Sequence, residues 1–250
     1  MKKTLLQIAR NNLSVETRRK LARLACWPPV GLVRFGSLRR RKPISADWGI
    51  DRGDPIDRYY ISCFLEAHRD DVRGQVLEIG WDFYTRTYGG EKVTGSDVLH
   101  VVENRPGVTI IGDLTAAGHI PDERYDCIIL TQTLQMIYDV PAALRTVYRV
   151  VKPGGVALVT VSGLISKVSR YDMDHWGHHW GFSSSSAQRL FAEVFPEANL
   201  QIASHGNVKS AIALLHGVAY QELRRKDLDY NDPDYQVLIT IRAVKPGEAQ

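Results

Sequence analysis

The sequence predicts an α/β protein built on a doubly wound, mostly parallel β-sheet. Short apolar runs alternate with segments of helical periodicity over residues 54–242, a pattern typical of βαβ units. Runs such as 127–130 and 156–159 are continuously apolar instead of alternating, as in strands that are buried on both faces. The first two runs, 76–79 and 93–96, lead directly into Gly80 and Asp97, where a parallel sheet is expected to open into a ligand cleft.

The elements follow from these runs and from the residues that begin and end helices. We predict strands at 76–79, 93–96, 108–112, 126–131, 156–161, 200–204 and 235–242, and helices at 14–26, 54–67, 141–151, 184–195 and 208–226. Asp54-Pro55 supplies an N-cap and a first-turn proline. Pro153-Gly154-Gly155 ends the helix before the fifth strand.

Basic residues are concentrated at the N-terminus. Residues 1–45 contain twelve lysines and arginines against one acid, Glu16, although the whole chain of 250 residues has a formal net charge of only +4. We therefore divide the chain into a basic N-terminal helical extension (1–53), a globular domain (54–245) and a polar tail (246–250). Residues 1–45 suit an anionic membrane surface or an acidic partner, or simply a solvated basic face. Nucleic acid is not favoured, because neither interleaved aromatic residues nor a known reading module accompanies the charge.

Composition favours a cytoplasmic globular protein. No run approaches the roughly 18 apolar residues that span a bilayer, and Gln7, Arg10 and Asn11 interrupt the hydrophobic core that a cleaved signal needs. The three cysteines (Cys26, Cys63, Cys127) lack the spacing of metal ligands, so we expect reduced thiols.

The acids beside the first two strands indicate the ligand. A Rossmann-type sheet holds an adenosine ribose with an acid near the end of its second strand, and the spacing from Gly80 to Asp97 fits that layout. Asp82 beside the first glycine would repel a pyrophosphate. A nucleoside with a positively charged group is therefore favoured over a dinucleotide.

The order of motifs over roughly residues 55–242 resembles the class I S-adenosylmethionine-dependent methyltransferase family, and in particular its methyltransferase type 11 members. The most specific segments are Tyr125-Asp126-Cys127-Ile128-Ile129-Leu130 and Arg149-Val150-Val151-Lys152-Pro153-Gly154-Gly155. The resemblance implies a Rossmann-like seven-stranded sheet with an antiparallel last strand, and S-adenosylmethionine as cofactor. It also implies cofactor contacts from Glu78, Gly80, Asp82, Asp97, Asp113, Leu114 and Gln132, with Asp97 on the ribose and Asp113-Leu114 at the adenine.

The cofactor loop departs from the family pattern. Where the family has acid-x-Gly-x-Gly-x-Gly, this chain reads Glu78-Ile79-Gly80-Trp81-Asp82-Phe83-Tyr84, and glycines there let backbone approach a ligand closely. Few residues separate Gly80 from the second strand, so we expect the usual helix to be short or replaced by a turn around Gly89-Gly90.

The stretch 171–180 after the fifth strand is the richest in groups that could catalyse methyl transfer. A histidine with a carboxylate beside it is a plausible general base for a hydroxyl acceptor. We expect His175 or His178 to act as the base, oriented by Asp172 or Asp174. A metal site is not predicted, because so many close-spaced donors rarely converge. Loop packing remains the alternative for these residues.

Methyl transfer to a small molecule is the first functional hypothesis, with O-methylation of a sugar or cell-surface glycan precursor as the substrate suggested by the resemblance. The second is a non-catalytic relative that has lost cofactor binding and serves as an interaction module, which the altered loop would favour. The third is a nucleotide-sugar-dependent transferase, because Asp172-Met173-Asp174 matches the acidic tripeptide of some glycosyltransferases.

Overall fold

The computed structural model describes residues 14, 16–17, 28, 34 and 36–247. The chain forms two compact units, Met1–Lys42 and Pro43–Gln250, whereas the sequence places the start of the globular domain at residue 54. The described part of the first unit contains a 3-10 turn at Gly36–Leu38, and the helix predicted at 14–26 lies almost entirely outside the described residues. In the described part of the chain, no helix is both long enough and apolar enough to cross a bilayer.

The second unit is built on a seven-stranded, mostly parallel sheet. The strands are β1 (Gly74–Ile79), β2 (Val93–His100), β3 (Ile110–Ile111), β4 (Tyr125–Thr131), β5 (Val151–Ser162), β6 (Leu200–His205) and β7 (Leu238–Val244). Their order across the sheet is β3-β2-β1-β4-β5-β7-β6. Strands β1 to β5 pair in parallel, and β7 runs antiparallel to both of its neighbours. The Rossmann-like class and the antiparallel last strand are therefore confirmed.

Six α-helices of the second unit lie along the described chain: α1 (Ile56–Ala67), α2 (Val140–Val150), α3 (Arg170–His175), α4 (Ser184–Ala192), α5 (Val208–His216) and α6 (Arg225–Asp229). Helix α2 begins where the side chain of Asp139 accepts a hydrogen bond from Ala142 N at 2.9 Å. Helix α5 ends at Gly217, which takes a left-handed conformation with φ +63°. The prediction of one helix over 208–226 was therefore wrong. Only a glycine fits at this turn, because a β-carbon there would collide with the Ser45 carbonyl oxygen.

The loop from β1 to β2 contains no full helix. It consists of a π-helical turn at Thr85–Gly89 and a 3-10 turn at Gly90–Lys92, as the short spacing predicts. Strand β2 continues to His100, four residues beyond its predicted end, because Val98 and Leu99 are buried and pair with β1. This extension changes the interpretation of Asp97 below.

The hydrophobic core has two layers, one on each face of the sheet. Leu77 and Ile128 belong to the cluster that includes α2 and α4, whereas Val76 and Ile129 belong to the cluster that includes α1 and α5. Neighbouring residues of one strand thus enter opposite layers, as the two-residue period of a strand requires. Both faces are covered, and this accounts for the continuously apolar runs of the sequence.

His205, at the end of β6, makes the stability of this core depend on pH. Its Nε2 lies 2.9 Å from Thr240 Oγ1, and its ring stacks on Tyr60 at 5.7 Å between centroids. Burial lowers the pKa of His205, so the unfolded chain binds its proton more readily than the folded one. The free energy of unfolding should therefore fall as pH decreases from about 7 to about 5.

Urea unfolding at the two pH values tests this prediction, with His205→Gln as the variant and the exposed His119→Gln as its control. We expect His205→Gln to lose part of the pH dependence. The remainder persists because burial also lowers the pKa values of His68 and His100. A pH dependence in His205→Gln equal to that of the wild type would contradict the assignment.

Candidate functional site

A cleft of about 1590 Å³ opens at the carboxyl edge of the parallel strands. Residues at or just beyond the ends of five strands line it: Gly80 after β1, His100 of β2, Gly112 after β3, Thr131 of β4 and Ser162 of β5. This edge is where doubly wound sheets bind ligands. The cleft therefore combines the predicted cofactor and acceptor regions.

Glu78 organises the loop that follows β1. Its buried carboxylate accepts hydrogen bonds from Tyr84 N at 3.1 Å, Thr85 N at 2.7 Å and Thr85 Oγ1 at 2.7 Å. Burial raises the pKa of Glu78, although the hydrogen bonds from Thr85 act in the opposite direction. Three donors to one carboxylate fix the loop without the usual glycines.

The space beside Gly80 is open. Gly80 has φ +89°, and a β-carbon built there would meet no atom within 4 Å apart from its two chain neighbours. The next side chain, Trp81, is 63% exposed and lines the cleft. The glycine-poor loop therefore leaves room for a nucleoside.

The structure corrects the assignment of Asp97 to the ribose. Asp97 lies within β2 opposite Leu77, is buried and does not line the cleft. Its carboxylate accepts hydrogen bonds from Thr109 Oγ1 at 2.9 Å, Arg124 Nη2 at 2.8 Å and Tyr125 OH at 3.0 Å. Asp97 is thus a structural acid, because the strand continues past it.

Asp82 is also placed away from the predicted contact. Its carboxylate pairs with Arg86 one turn later at 2.8 Å, and it does not line the cleft. The loop turns so that its neighbours Trp81 and Phe83 line the cleft instead. We therefore remove Asp82 from the candidate cofactor contacts.

The other predicted cofactor residues line the cleft. Asp113 Oδ1 accepts a hydrogen bond from Thr115 N at 2.8 Å, which holds the turn after β3, and Leu114 is buried behind it. Gln132 follows β4 with an unusual φ of +50°, and its Oε1 accepts from Ser162 Oγ at 2.8 Å and Gln135 Nε2 at 2.7 Å. Glu78, Gly80, Asp113, Leu114 and Gln132 are thus brought together around one cavity.

Helix α3 carries most of the predicted catalytic residues, but it does not form the predicted histidine–aspartate pair. Asp174 pairs with Arg170 at 3.3 Å and does not line the cleft. Asp172 does line the cleft, yet neither aspartate hydrogen-bonds to a histidine in the part of the chain that the structure describes. The acceptor beside His175 is instead the carbonyl oxygen of Tyr171, 2.7 Å from Nδ1.

The loop after α3 is fixed to the segment that follows β4. The carbonyl oxygen of Gln135 accepts from His179 N at 2.8 Å and Trp180 N at 3.2 Å. Trp180 Nε1 donates to the carbonyl oxygen of Ile137 at 3.0 Å. These bonds hold His178 against the cleft, where its buried Nδ1 has no hydrogen-bond partner among the described residues.

The structure adds Arg58 to the site. The sequence offers Arg52, Arg58 and Tyr59 as residues that could line a cleft, with core packing and surface charge as the alternatives. Of these three, Arg52 pairs with Glu222 at 2.5 Å, Tyr59 bonds to Asp229, and only Arg58 lines the cleft. Arg58 Nη1 lies 3.4 Å from Tyr84 OH, and no carboxylate of the described chain forms an ion pair with it. A cation in the first turn of α1 interacts unfavourably with the helix dipole, so Arg58 does not stabilise the helix. This unfavourable position is the feature of the sequence that indicates a role in ligand binding.

Carboxylates outnumber cations around the cleft. Two cations line the cleft, Arg58 and Arg105. Six carboxylates line it: Asp54, Asp57, Glu78, Asp113, Asp139 and Asp172. No group of three or more His, Cys, Asp and Glu side chains within the described residues could hold a metal ion. The balance of charge suits a ligand with net positive charge.

A family model described as a methyltransferase domain matches residues 56–204, which is more than half of the chain. The chain belongs to the class I S-adenosylmethionine-dependent methyltransferase family. It is therefore an S-adenosylmethionine-dependent methyltransferase, and membership of the family implies use of that cofactor.

Individual relatives are distant. The 2-phytyl-1,4-naphtoquinone methyltransferase of Synechococcus elongatus is 25% identical over 192 residues, which cover 73% of this chain and 79% of that protein. A SAM-dependent methyltransferase from Archaeoglobus fulgidus superimposes with a TM-score of 0.51 at 12% identity, over 75% of this methyltransferase and 94% of that chain. The [4+2]-cyclase SpnF gives a TM-score of 0.50 at 17% identity, over 78% and 85% of the two chains. The structural likenesses show a shared fold and nothing finer.

The residues of the cleft fit S-adenosylmethionine. Gly80 leaves an open cradle next to the ordered loop, and the excess of carboxylates around the cleft complements a sulfonium and an ammonium group. Arg58, which has no ion-pair partner among the described residues, complements the single carboxylate of the cofactor. The fit thus rests on the open space at Gly80, on the carboxylates that complement the positive groups of the cofactor, and on Arg58, which complements its carboxylate.

Proposed function

We propose that this methyltransferase transfers a methyl group to a hydroxyl oxygen of a sugar or glycan precursor, with His175 as the general base. The observation that carries the proposal is the hydrogen bond between His175 and the Tyr171 carbonyl oxygen. A carbonyl oxygen only accepts, so Nδ1 of the neutral ring must carry the proton. Nε2 is then left with a free lone pair, on a residue that lines the cleft.

Helix α3 holds His175 in this orientation. Ser169 Oγ caps the helix by accepting from Asp172 N at 3.2 Å, and the ring of Tyr171 stacks on that of His175 at 4.1 Å between centroids. A base fixed by packing and by a hydrogen bond loses little freedom when the acceptor binds. The same contacts favour His175 over His178, whose Nδ1 has no such partner.

Exposed aromatic rings beside the histidines favour a carbohydrate acceptor. Tyr138 is 73% exposed and Tyr171 is 66% exposed, and both line the cleft with Trp48 and Trp176. Rings with one accessible face and nearby polar groups suit a sugar, whose C–H face stacks while its hydroxyls make hydrogen bonds.

We assign the cofactor to the half of the cleft formed by the ends of β1 to β4. Gly80 would face it closely, Asp113 and Leu114 would lie at its adenine, Gln132 would approach it from β4, and Arg58 would pair with its carboxylate. When bound, S-adenosylmethionine supplies a methyl group made electrophilic by the sulfonium. His175 would take the proton from the acceptor hydroxyl and so make that oxygen a better nucleophile.

Loss of the Arg58 charge should weaken cofactor binding. We expect Arg58→Ala to raise the dissociation constant for S-adenosylhomocysteine about tenfold or more, because a charge-assisted hydrogen bond contributes about 1.5–3 kcal/mol. Arg58→Lys should retain part of the affinity. Titration calorimetry measures both, and Arg52→Ala is the matched control, since Arg52 is exposed and pairs with Glu222. Equal losses in Arg52→Ala and Arg58→Ala would count against a specific role for Arg58.

A quinone-like ring is the second candidate acceptor, because the Synechococcus relative acts on a naphthoquinone according to its name. The aromatic rings at the cleft mouth would suit a flat apolar ring as well as a sugar. Transfer of a radiolabelled methyl group to a panel of nucleotide-activated sugars, glycan fragments and 1,4-naphthoquinones separates the two. The proposal predicts a methyl ether on a sugar; label appearing only in the naphthoquinones would overturn it.

A further inference from the structure

The correction of Asp97 leaves the ribose region of the cleft without its expected acid. In a Rossmann-type sheet, an acid at the end of the second strand binds the ribose hydroxyls. Here β2 ends at His100, and the cleft beside it is lined by His100, Val101 and Arg105. These residues offer hydrogen-bond donors where an acceptor is expected.

His100, at the end of β2, holds Arg105 by a hydrogen bond. Arg105 Nη1 lies 2.6 Å from His100 Nε2, and because a guanidinium has donors only, the ring nitrogen is the acceptor. Burial and the charge of Arg105 lower the pKa of His100. This bond uses one guanidinium N–H group and leaves the others without a partner from His100.

Trp81 fixes the position of Arg105. The guanidinium carbon lies 4.0 Å from the centroid of the Trp81 ring, within the range of a cation–π interaction. Trp81 follows Gly80 directly, so it links the end of β1 to the segment after β2. Among the described residues no carboxylate forms an ion pair with Arg105. The stacking contact therefore leaves the guanidinium N–H groups that do not bond to His100 available to a ligand.

We propose that His100, Arg105 and Trp81 form the ribose-binding part of the cofactor site, with Arg105 donating to a ribose hydroxyl oxygen and with His100 and Trp81 holding Arg105 in place. A hydroxyl oxygen has two lone pairs and can accept from the guanidinium N–H groups that do not bond to His100. The inference rests on the proposed function, since it takes the cofactor half of the cleft to hold S-adenosylmethionine. It replaces an acidic ribose contact with a basic one.

Titration calorimetry of the full-length protein with S-adenosylhomocysteine and its 2′-deoxy and 3′-deoxy analogues tests this inference. We expect Arg105→Ala to raise the dissociation constant of S-adenosylhomocysteine about tenfold or more. One deoxy analogue should bind the wild type about tenfold more weakly, yet should bind Arg105→Ala as well as the parent ligand does. This loss of discrimination is specific to a direct contact, because a structural defect would weaken all three ligands alike. Trp81→Ala should behave like Arg105→Ala, and Trp81→Phe should retain most of the affinity.

Arg86→Ala is the matched control, because Arg86 is 73% exposed, pairs with Asp82 in the same loop and lies outside the cleft. Its dissociation constants should stay within twofold of the wild type. If Arg105→Ala binds S-adenosylhomocysteine within twofold of the wild type, or keeps the full discrimination against both deoxy analogues, the inference is overturned while the cofactor assignment stands. If the wild type binds none of the three ligands, the proposed function fails and the inference fails with it.

Discussion

Replacement of His175 by glutamine is expected to lower kcat about 10²–10⁴-fold, the usual contribution of a general base. The substitution keeps a polar side chain of similar length but removes the nitrogen lone pair that would take the proton. The dissociation constant for S-adenosylhomocysteine should stay within twofold, because His175 is assigned to the acceptor side of the cleft. Steady-state kinetics with the best acceptor of the panel, together with calorimetry, measures both quantities.

The matching variant is His178→Gln, which changes the competing histidine three residues later. If His175 is the base, His175→Gln should lose most of kcat, whereas His178→Gln should keep most of it. The reverse result would transfer the role to His178, and a kcat close to that of the wild type in both variants would exclude both histidines as the base. Thermal unfolding of both proteins shows whether either substitution acts through the fold.

The fold was predictable because its signals are local. Apolar runs such as 126–131 are continuous since both faces of the sheet are covered, and Pro153-Gly154-Gly155 separates helix from strand where the chain enters β5. The strand order and the open edge then follow from the parallel topology. The conformations of loop residues determine where some helices end. Helix α5 ends at Gly217, earlier than predicted, because the conformation of this residue and the nearby Ser45 carbonyl exclude a longer helix.

The site was predictable only in part, because its members are brought together by tertiary contacts. Glu78, Gly80, Asp113 and Leu114 lie where the motifs place them, at or just after strand ends. Asp97 does not, because the apolar residues Val98 and Leu99 extend the strand past it. A run that resumes after a single acid is the signal for a buried strand interior.

The sequence offered Arg58 only as one of three candidates and did not indicate Arg105. Arg58 reaches the cleft from a helix that precedes the sheet, and Arg105 reaches it from a loop, so neither has a fixed spacing from a motif. The predicted cytoplasmic location and the predicted contacts of residues 1–45 with an anionic membrane or an acidic partner stay predictions.

Replacement of Asp97 by alanine should destabilise the protein by about 3 kcal/mol, because the loss of a buried, hydrogen-bonded acid leaves its partners without an acceptor. The hydroxyl of Tyr125 is the most affected, since that residue is fully buried and its pKa is raised by burial and by Asp97. For a domain of this size the midpoint of thermal unfolding should fall by about 6–12 °C. Differential scanning calorimetry measures the change.

Asp82→Ala is the control for this variant, because it removes a carboxylate of the same kind from a partly exposed ion pair with Arg86. Its effect on the free energy of unfolding should stay within about 0.5 kcal/mol. At a temperature where Asp97→Ala is folded, its dissociation constant for S-adenosylhomocysteine should be close to that of the wild type. A stable Asp97→Ala protein that no longer binds the ligand would return Asp97 to the ribose and remove the need for His100 and Arg105 there. The variants at Asp97 and Asp82 thus separate stability from ligand binding. We expect Asp97 to contribute to stability, and we expect ligand binding to depend on the residues at the end of β2.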